Sequence, residues 1–217
     1  ENDNEYNKYI TFVNNYKYKF KKITYTVHPS IKNEISGKSA NESWAVRHIF
    51  KHSTIESLEN TYITVCDVDS YFHHNYFEVL TQHILKETNP HNKIWNCPKI
   101  TLKNFDLLSN LNKSRYINVS LIICGSLDFK YLPPMSSYTV SLKSIHNADY
   151  WDTRVIAEDH QLFLSLINSQ KGNFEKKIIY LPFFSNAPSG NSYYTNFNVF
   201  NQSLRWSYGS QLIYNTI

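Results

Sequence analysis

Glycine is scarce in this sequence, 5 in 217 residues, against many Asn, Lys and Tyr. That imbalance marks a biased coding composition, so isolated Asn and Lys residues carry no signal by themselves. Cysteine is scarcer still. Cys66, Cys97 and Cys124 are odd in number and not closely paired, which excludes a disulfide framework and a Cys-x-x-Cys zinc site. Each lies in an apolar run resembling a strand, so buried, reduced thiols and a cytosol-facing domain are expected. No apolar run approaches the roughly 18 residues needed to cross a bilayer, and no signal-peptide pattern opens the sequence. A dense basic stripe with interleaved aromatics is also lacking. The nearest, Lys17 to Lys22, reads as a solvated approach to a strand. A net charge of +4 tolerates an anionic ligand without calling for nucleic acid.

What is present suits one domain with a real core: 217 residues, 16% aromatic, with no internal repeat and no low-complexity linker. Strand signals fall at Ile23–Val27, Tyr62–Cys66, Lys93–Cys97, Ser137–Leu142 and Lys177–Leu181, with a further apolar run at Asn118–Gly125. Helical patterns fall at Trp44–His52 with Ser39 or Asn41 as cap, Asn75–Glu87, Ala157–Ser169 and Phe200–Ile213. Glu1–Tyr18 reads as a helix or an irregular lead-in, Asn104–Lys113 is ambiguous, and Phe183–Asn198 reads as a loop able to act as a flap. Alternating strands and helices predict an α/β fold whose mostly parallel sheet gathers ligands at the carboxyl ends of its strands.

The stretch Thr61–Phe77 organises the rest. Its apolar run ends in Asp67 and Asp69, which alternate residues of an extended chain project to one side. Two carboxylates aimed together suit a hard cation, Mg²⁺ or Mn²⁺, that shares its other positions with water and phosphate oxygens. Alone, such a pair is more often a loop or capping cluster. Glu158-Asp159 alone is an acidic helix start, and Gln202, Arg205 and Trp206 alone make an ordinary amphipathic helix. The adjacent His73-His74 reads as a surface pair, because neighbouring side chains diverge.

The ordered set Asp67-Val68-Asp69, Glu158-Asp159 and Gln202-Ser203-Leu204-Arg205-Trp206 resembles the DxD, ED and QxxRW motifs of family 2 glycosyltransferases. Gly37-Lys38 resembles that family's GKA-type segment, and Ser207-Tyr208-Gly209 its W-x-x-G continuation. The resemblance spans about Ile23 to Gln211. It implies a GT-A, Rossmann-like fold and a metal-dependent, inverting transfer from a UDP- or GDP-sugar to a saccharide hydroxyl. The parent chain would be a membrane-associated synthase of the cellulose, chitin or hyaluronan type, attached through flanking segments. The family's opening strand with its Pro-x-x-Asn-Glu-type loop is not found, so Glu1 is expected to lie inside a longer chain. Ser136–Ser141 is only a loose counterpart of the Gly-rich acceptor-side segment.

On that resemblance Asp67 and Asp69 hold the ion against the diphosphate, with Asp69 the preferred direct ligand. Arg205 and Gln202 bind the diphosphate, Arg205 through a planar guanidinium that Lys cannot copy, and Lys38 adds a weaker contact. Asp159 is the general base, Glu158 orients it, and Trp206 packs beside the acceptor sugar. Two other classes compete: a catalytically silent nucleotide-sugar or polysaccharide-binding module, and a phosphohydrolase using Asp67 as nucleophile. The latter leaves Arg205-Trp206 without a role. Of the Asn-x-Ser sequons at Asn41, Asn112, Asn118 and Asn201, the last adjoins Gln202, where a glycan would obstruct the motif.

Overall fold

A computed structural model describes residues 2–189, 197–205, 207 and 208. In chain order these form α1 (Asn2–Tyr16), α2 (Lys38–Lys51), α3 (Ile55–Asn60), β1 (Tyr62–Val65), β2 (Tyr71–Phe72), α4 (Tyr76–Lys86), β3 (Lys93–Asn96) and β4 (Lys99–Ile100). There follow α5 (Asn110–Gly125), β5 (Tyr138–Ser141), α6 (Leu142–Asn147), α7 (Glu158–Ser169), β6 (Glu175–Ile178) and β7 (Phe183–Phe184). Residues 197–205 are helical.

The fold is mixed α/β with two open sheets. One has the order β1-β5-β3-β6, in which β5 is antiparallel to both neighbours and β3 is parallel to β6. The other is β2-β7-β4, with β7 antiparallel to β2 and parallel to β4. The expected mostly parallel sheet is therefore corrected to a mixed one. The cause is where β5 begins. Its first residue, Tyr138, pairs with Val65 and Asn96, the last residues of β1 and β3, so the chain enters β5 from the edge where those strands leave. Ile178, the last residue of β6, pairs with Asn96 at that same edge. Three carboxyl ends and one amino end thus share a rim, and short segments beyond it meet across the sheet.

Strand β3 is buried on both faces, and the pleat assigns its residues by turns. Ile94 joins Val46, Val140, Leu162, Phe163 and Leu166 beneath α2 and α7, while Trp95 joins Tyr76, Leu80, Ile179 and Phe183 beneath α4. Tyr76 and Leu80, one helical turn apart, are the buried positions of α4, while Phe77 is exposed. Side-chain caps set several helix starts. The Thr54, Ser109 and Ser141 hydroxyls accept from the Ser57, Asn112 and Ser144 amides at 3.2, 3.4 and 3.1 Å.

Several local expectations change. Ile23–Val27 forms no strand, because no described strand offers it a ladder, and Tyr25 packs instead on Tyr6 and Tyr9. The apolar run around Cys124 continues a helix, α5, rather than making a strand. Of the three thiols only Cys97 is buried; Cys66 is exposed where β1 leaves the sheet, and Cys124 is intermediate. Helix α2 starts at Lys38 after Gly37, so neither Ser39 nor Asn41 caps it, and the Ser39 hydroxyl donates to the Asp152 carbonyl at 2.6 Å. The last strand of the first sheet sits at Glu175–Ile178, earlier than Lys177–Leu181. Asn112, in one of the sequons, is buried. No described helix is long and apolar enough to cross a membrane.

Candidate active site

At the shared rim, three segments distant in sequence converge: the turn after β1, the loop before β5 and the first turn of α7. Ser136 joins them. Its hydroxyl donates to Asp67 Oδ2 at 2.7 Å, and its backbone N–H donates to Asp159 Oδ2 at 3.1 Å. It holds φ at 69°, the left-handed region that a non-glycine residue enters only at some cost. That conformation turns one residue's amide and hydroxyl toward two different carboxylates. Asp159 Oδ1 accepts the His160 amide at 2.9 Å, so each oxygen has one fixed donor and retains a free lone pair.

Lys38 is the cationic centre. Its Nζ lies 3.0 Å from Asp67 Oδ1, 3.0 Å from Glu158 Oε1 and 3.7 Å from Glu42 Oε1. Burial would lower this ammonium, but Glu42, Glu158 and Asp67 outweigh it and hold the group above the usual lysine range. Lys99, from β4, donates to the Ser136 hydroxyl at 2.6 Å and stands 3.7 Å from Asp67 Oδ2. Burial pushes the Asp67 carboxyl upward, yet the Ser136 hydroxyl and the two lysines override it, so Asp67 stays below the ordinary aspartate range.

The neighbouring acids move the other way. Burial, reinforced by Asp159, raises Glu158 against the pull of Lys38. Glu42 is pushed up to about 8 by burial, offset by Lys38 and reinforced by Glu158, Asp159 and Asp67. Its Oε2 is buried without a hydrogen-bond partner. One carboxylate held low beside others held high is an arrangement that separates charge-holding from proton-handling. A cavity of about 670 Å³ opens beside Lys38, between α2 and the segment around Thr26 and His28.

The residues singled out from sequence divide into two groups. Asp67, Glu158, Asp159 and Lys38 come together. Asp69 lies beside them in the chain, but its Oδ2 accepts the Asn186 amide at 3.1 Å, toward the segment that follows β7. Gln202 and Arg205 sit on the 197–205 helix, which packs through Val199 against Leu108, Tyr116 and Ala187. That helix also receives a 3.4 Å hydrogen bond from Arg115 to the Ser203 hydroxyl. Arg205 is exposed, and among the described residues neither it nor Gln202 bonds to the acidic cluster. Trp206 and Gly209 lie outside the described residues, as do residues 190–196 of the expected flap. His73 Nδ1 accepts the Asn75 amide at 3.2 Å, a turn-forming role.

The sequence singles out neither Lys99 nor Glu42, and Ser136 only as the start of a loose counterpart of the acceptor-side segment. For Glu42 a signal existed, since it lies one helical turn from Lys38 on α2. Lys99 and Ser136 carry no pattern; their place follows from β3 leading into β4 and from the entry into β5. Among the described residues no group of three or more His, Cys, Asp or Glu is placed to hold a metal ion. No protein-family model matches this sequence, and no curated protein matches it significantly.

Proposed function

We propose that the chain is an inverting, metal-dependent glycosyltransferase domain of the family 2 kind, with a GT-A-like fold, moving a sugar from a nucleoside-diphosphate donor to a saccharide hydroxyl. The observation that carries this reading is the convergence of Asp67 and Asp159 on Ser136, with Lys38 bridging Asp67 and Glu158. Residues of the DxD-, ED- and GK-like segments therefore meet at one rim of the sheet, and the QxxRW-like segment is not among them.

A protein-only cage of three ligands is not seen among the described residues, but Mg²⁺ or Mn²⁺ commonly binds through one or two carboxylates and completes its shell with water and phosphate oxygens. Asp67 Oδ1 is held by Lys38 at 3.0 Å and Oδ2 by the Ser136 hydroxyl at 2.7 Å with Lys99 3.7 Å away, so an ion bound there would have to take the place of one of these cations. Asp67 and Asp69 would hold the ion, which when bound supplies Lewis-acid stabilisation of the departing diphosphate. Lys38 and Lys99, beside Asp67, add cationic groups where the leaving group gains charge. Asp159, oriented by the Ser136 and His160 amides, takes the proton of the attacking hydroxyl at a free carboxylate oxygen. Glu158, paired with Lys38 and buried, keeps that ammonium on the donor side. Arg205 and Gln202 are proposed to reach the diphosphate from the 197–205 helix, and Trp206 to meet the acceptor sugar. The membrane-attached parent and its cytosolic orientation belong to the same proposal.

The test is Asp159→Asn with a radiolabelled nucleotide sugar, Mn²⁺ and an acceptor. Loss of transfer with donor affinity retained by calorimetry is expected; normal turnover by the variant overturns the base assignment. Donor binding by the unaltered protein with no product under any acceptor identifies a silent binding module instead.

A further inference from the structure

A second cavity, of about 440 Å³, lies between α2 and the 148–154 segment, walled on one side by Trp44. Its volume falls within the roughly 300–1,000 Å³ range of small-molecule sites. Two ion pairs line it, Arg47 Nη2 with Asp149 Oδ1 at 3.1 Å and Arg154 Nη2 with Asp152 Oδ2 at 2.8 Å, and His28 Nε2 lies 3.1 Å from Glu34 Oε2. The two arginines are each paired with an aspartate, so the lining offers no free cation to attract phosphate, while Glu34 Oε2, buried without a hydrogen-bond partner, is left as an acceptor for a hydroxyl. What remains is a ring of planar donors and acceptors around one aromatic wall.

We infer that this cavity is a binding site for a neutral saccharide, distinct from the acidic cleft. A pyranose presents hydroxyls at its edge and C–H groups on its face. Paired guanidinium and carboxylate groups satisfy the first through hydrogen bonds without needing charge in return, and Trp44 packs against the second. The wall is also held open by its backbone. Asp149 and Tyr150 are consecutive non-glycine residues with φ of 59° and 65°, locked by the Arg47 guanidinium, which pairs with Asp149 and lies 4.0 Å from the Tyr150 ring centroid. The Tyr150 ring is itself buried, leaving Trp44 as the partly exposed indole of the lining. The inference does not depend on the proposed transfer reaction, since no lining group belongs to the Asp67–Asp159 cluster.

Saturation-transfer NMR and tryptophan fluorescence, with cellobiose, chitobiose and mannobiose as probes and uridine as comparison, test it. At least one disaccharide is expected to bind saturably. Its affinity should fall at least about tenfold in Trp44→Ala and measurably in Arg154→Ala, while Trp44→Phe retains it. Arg154 is exposed, so that variant reads the site without disturbing the fold. Binding should survive Asp159→Asn unchanged. The inference is overturned if none of the three disaccharides binds, or if binding persists at full strength in both Trp44→Ala and Arg154→Ala. Loss of binding in Asp159→Asn, or Trp44-dependent binding of uridine alone, overturns it as well. Disaccharide binding at Trp44 in a protein that transfers no sugar leaves this site standing and removes the proposed reaction.

Discussion

The acidic cleft and the 197–205 helix carry the two ends of the proposed chemistry, and they are held in opposite ways. In the cleft, Ser136 makes hydrogen bonds of 2.6, 2.7 and 3.1 Å to Lys99, Asp67 and Asp159, and Lys38 reaches three carboxylates. The helix carrying Gln202 and Arg205 keeps Val199 buried while Leu204 and Arg205 face solvent. Groups that handle charge inside a partly buried cleft must be fixed in advance, whereas a guanidinium meant for a phosphate is satisfied in water until its anion arrives. The lesson is that the carboxylate side is built into the sheet rim and the arginine side is hung beside it.

Substitutions on each side separate the two. The largest effect is expected from Asp67→Asn, which removes the charge that gathers Lys38, Lys99 and the proposed ion. Sugar transfer should fall by roughly a thousandfold or more, measured as initial rate with saturating donor. Next comes Lys38→Met, which leaves Asp67, Glu158 and Glu42 facing one another. A loss of about 2 kcal/mol in urea unfolding is expected, since stranding partly buried carboxylates costs more than an exposed pair contributes. An unchanged midpoint would mean that the lysine holds nothing together.

Glu42→Gln tests the same cluster through pH. The folded-state value of Glu42, about 8, lies above its ordinary 4.5, so the folded protein keeps a proton that the unfolded chain releases over that interval. Stability contributed by the protonated form is therefore complete below about pH 4.5 and declines as pH rises toward 8. The glutamine variant should flatten this decline in a melting-temperature series from pH 5 to 8. A slope identical to that of the unaltered protein contradicts the assignment. The smallest structural effect is expected at Arg205→Ala, within about 0.5 kcal/mol in unfolding, because the side chain is exposed. On the proposed reading the same variant still weakens donor binding at least about tenfold by calorimetry. A large loss of stability there would erase the contrast between the two regions.

The elements that sequence reading located are those with strong local patterns. Tyr62–Val65 is β-branched and apolar, Tyr76–Lys86 and Glu158–Ser169 carry helical stripes, and Pro98 closes the run through Cys97. Asp67, Glu158 and Asp159 were legible because each sits at the end of such an element, where a side chain leaves the regular hydrogen bonding. The direction of β5 was not legible. A four-residue alternating strand reads the same both ways, and only its pairing with the last residues of β1 and β3 fixes it. Ile23–Val27 failed for the converse reason: β propensity makes a strand only where another strand supplies the ladder. Ser136 and Lys99 belong to the site through tertiary placement alone, which no local pattern encodes.

Ser136 has one more consequence. A single residue touches both carboxylates, one with its hydroxyl and one with its peptide nitrogen, so the two share one tether. Asp67 follows β1 and Asp159 opens α7, so both elements are tied to the loop before β5 through this one residue.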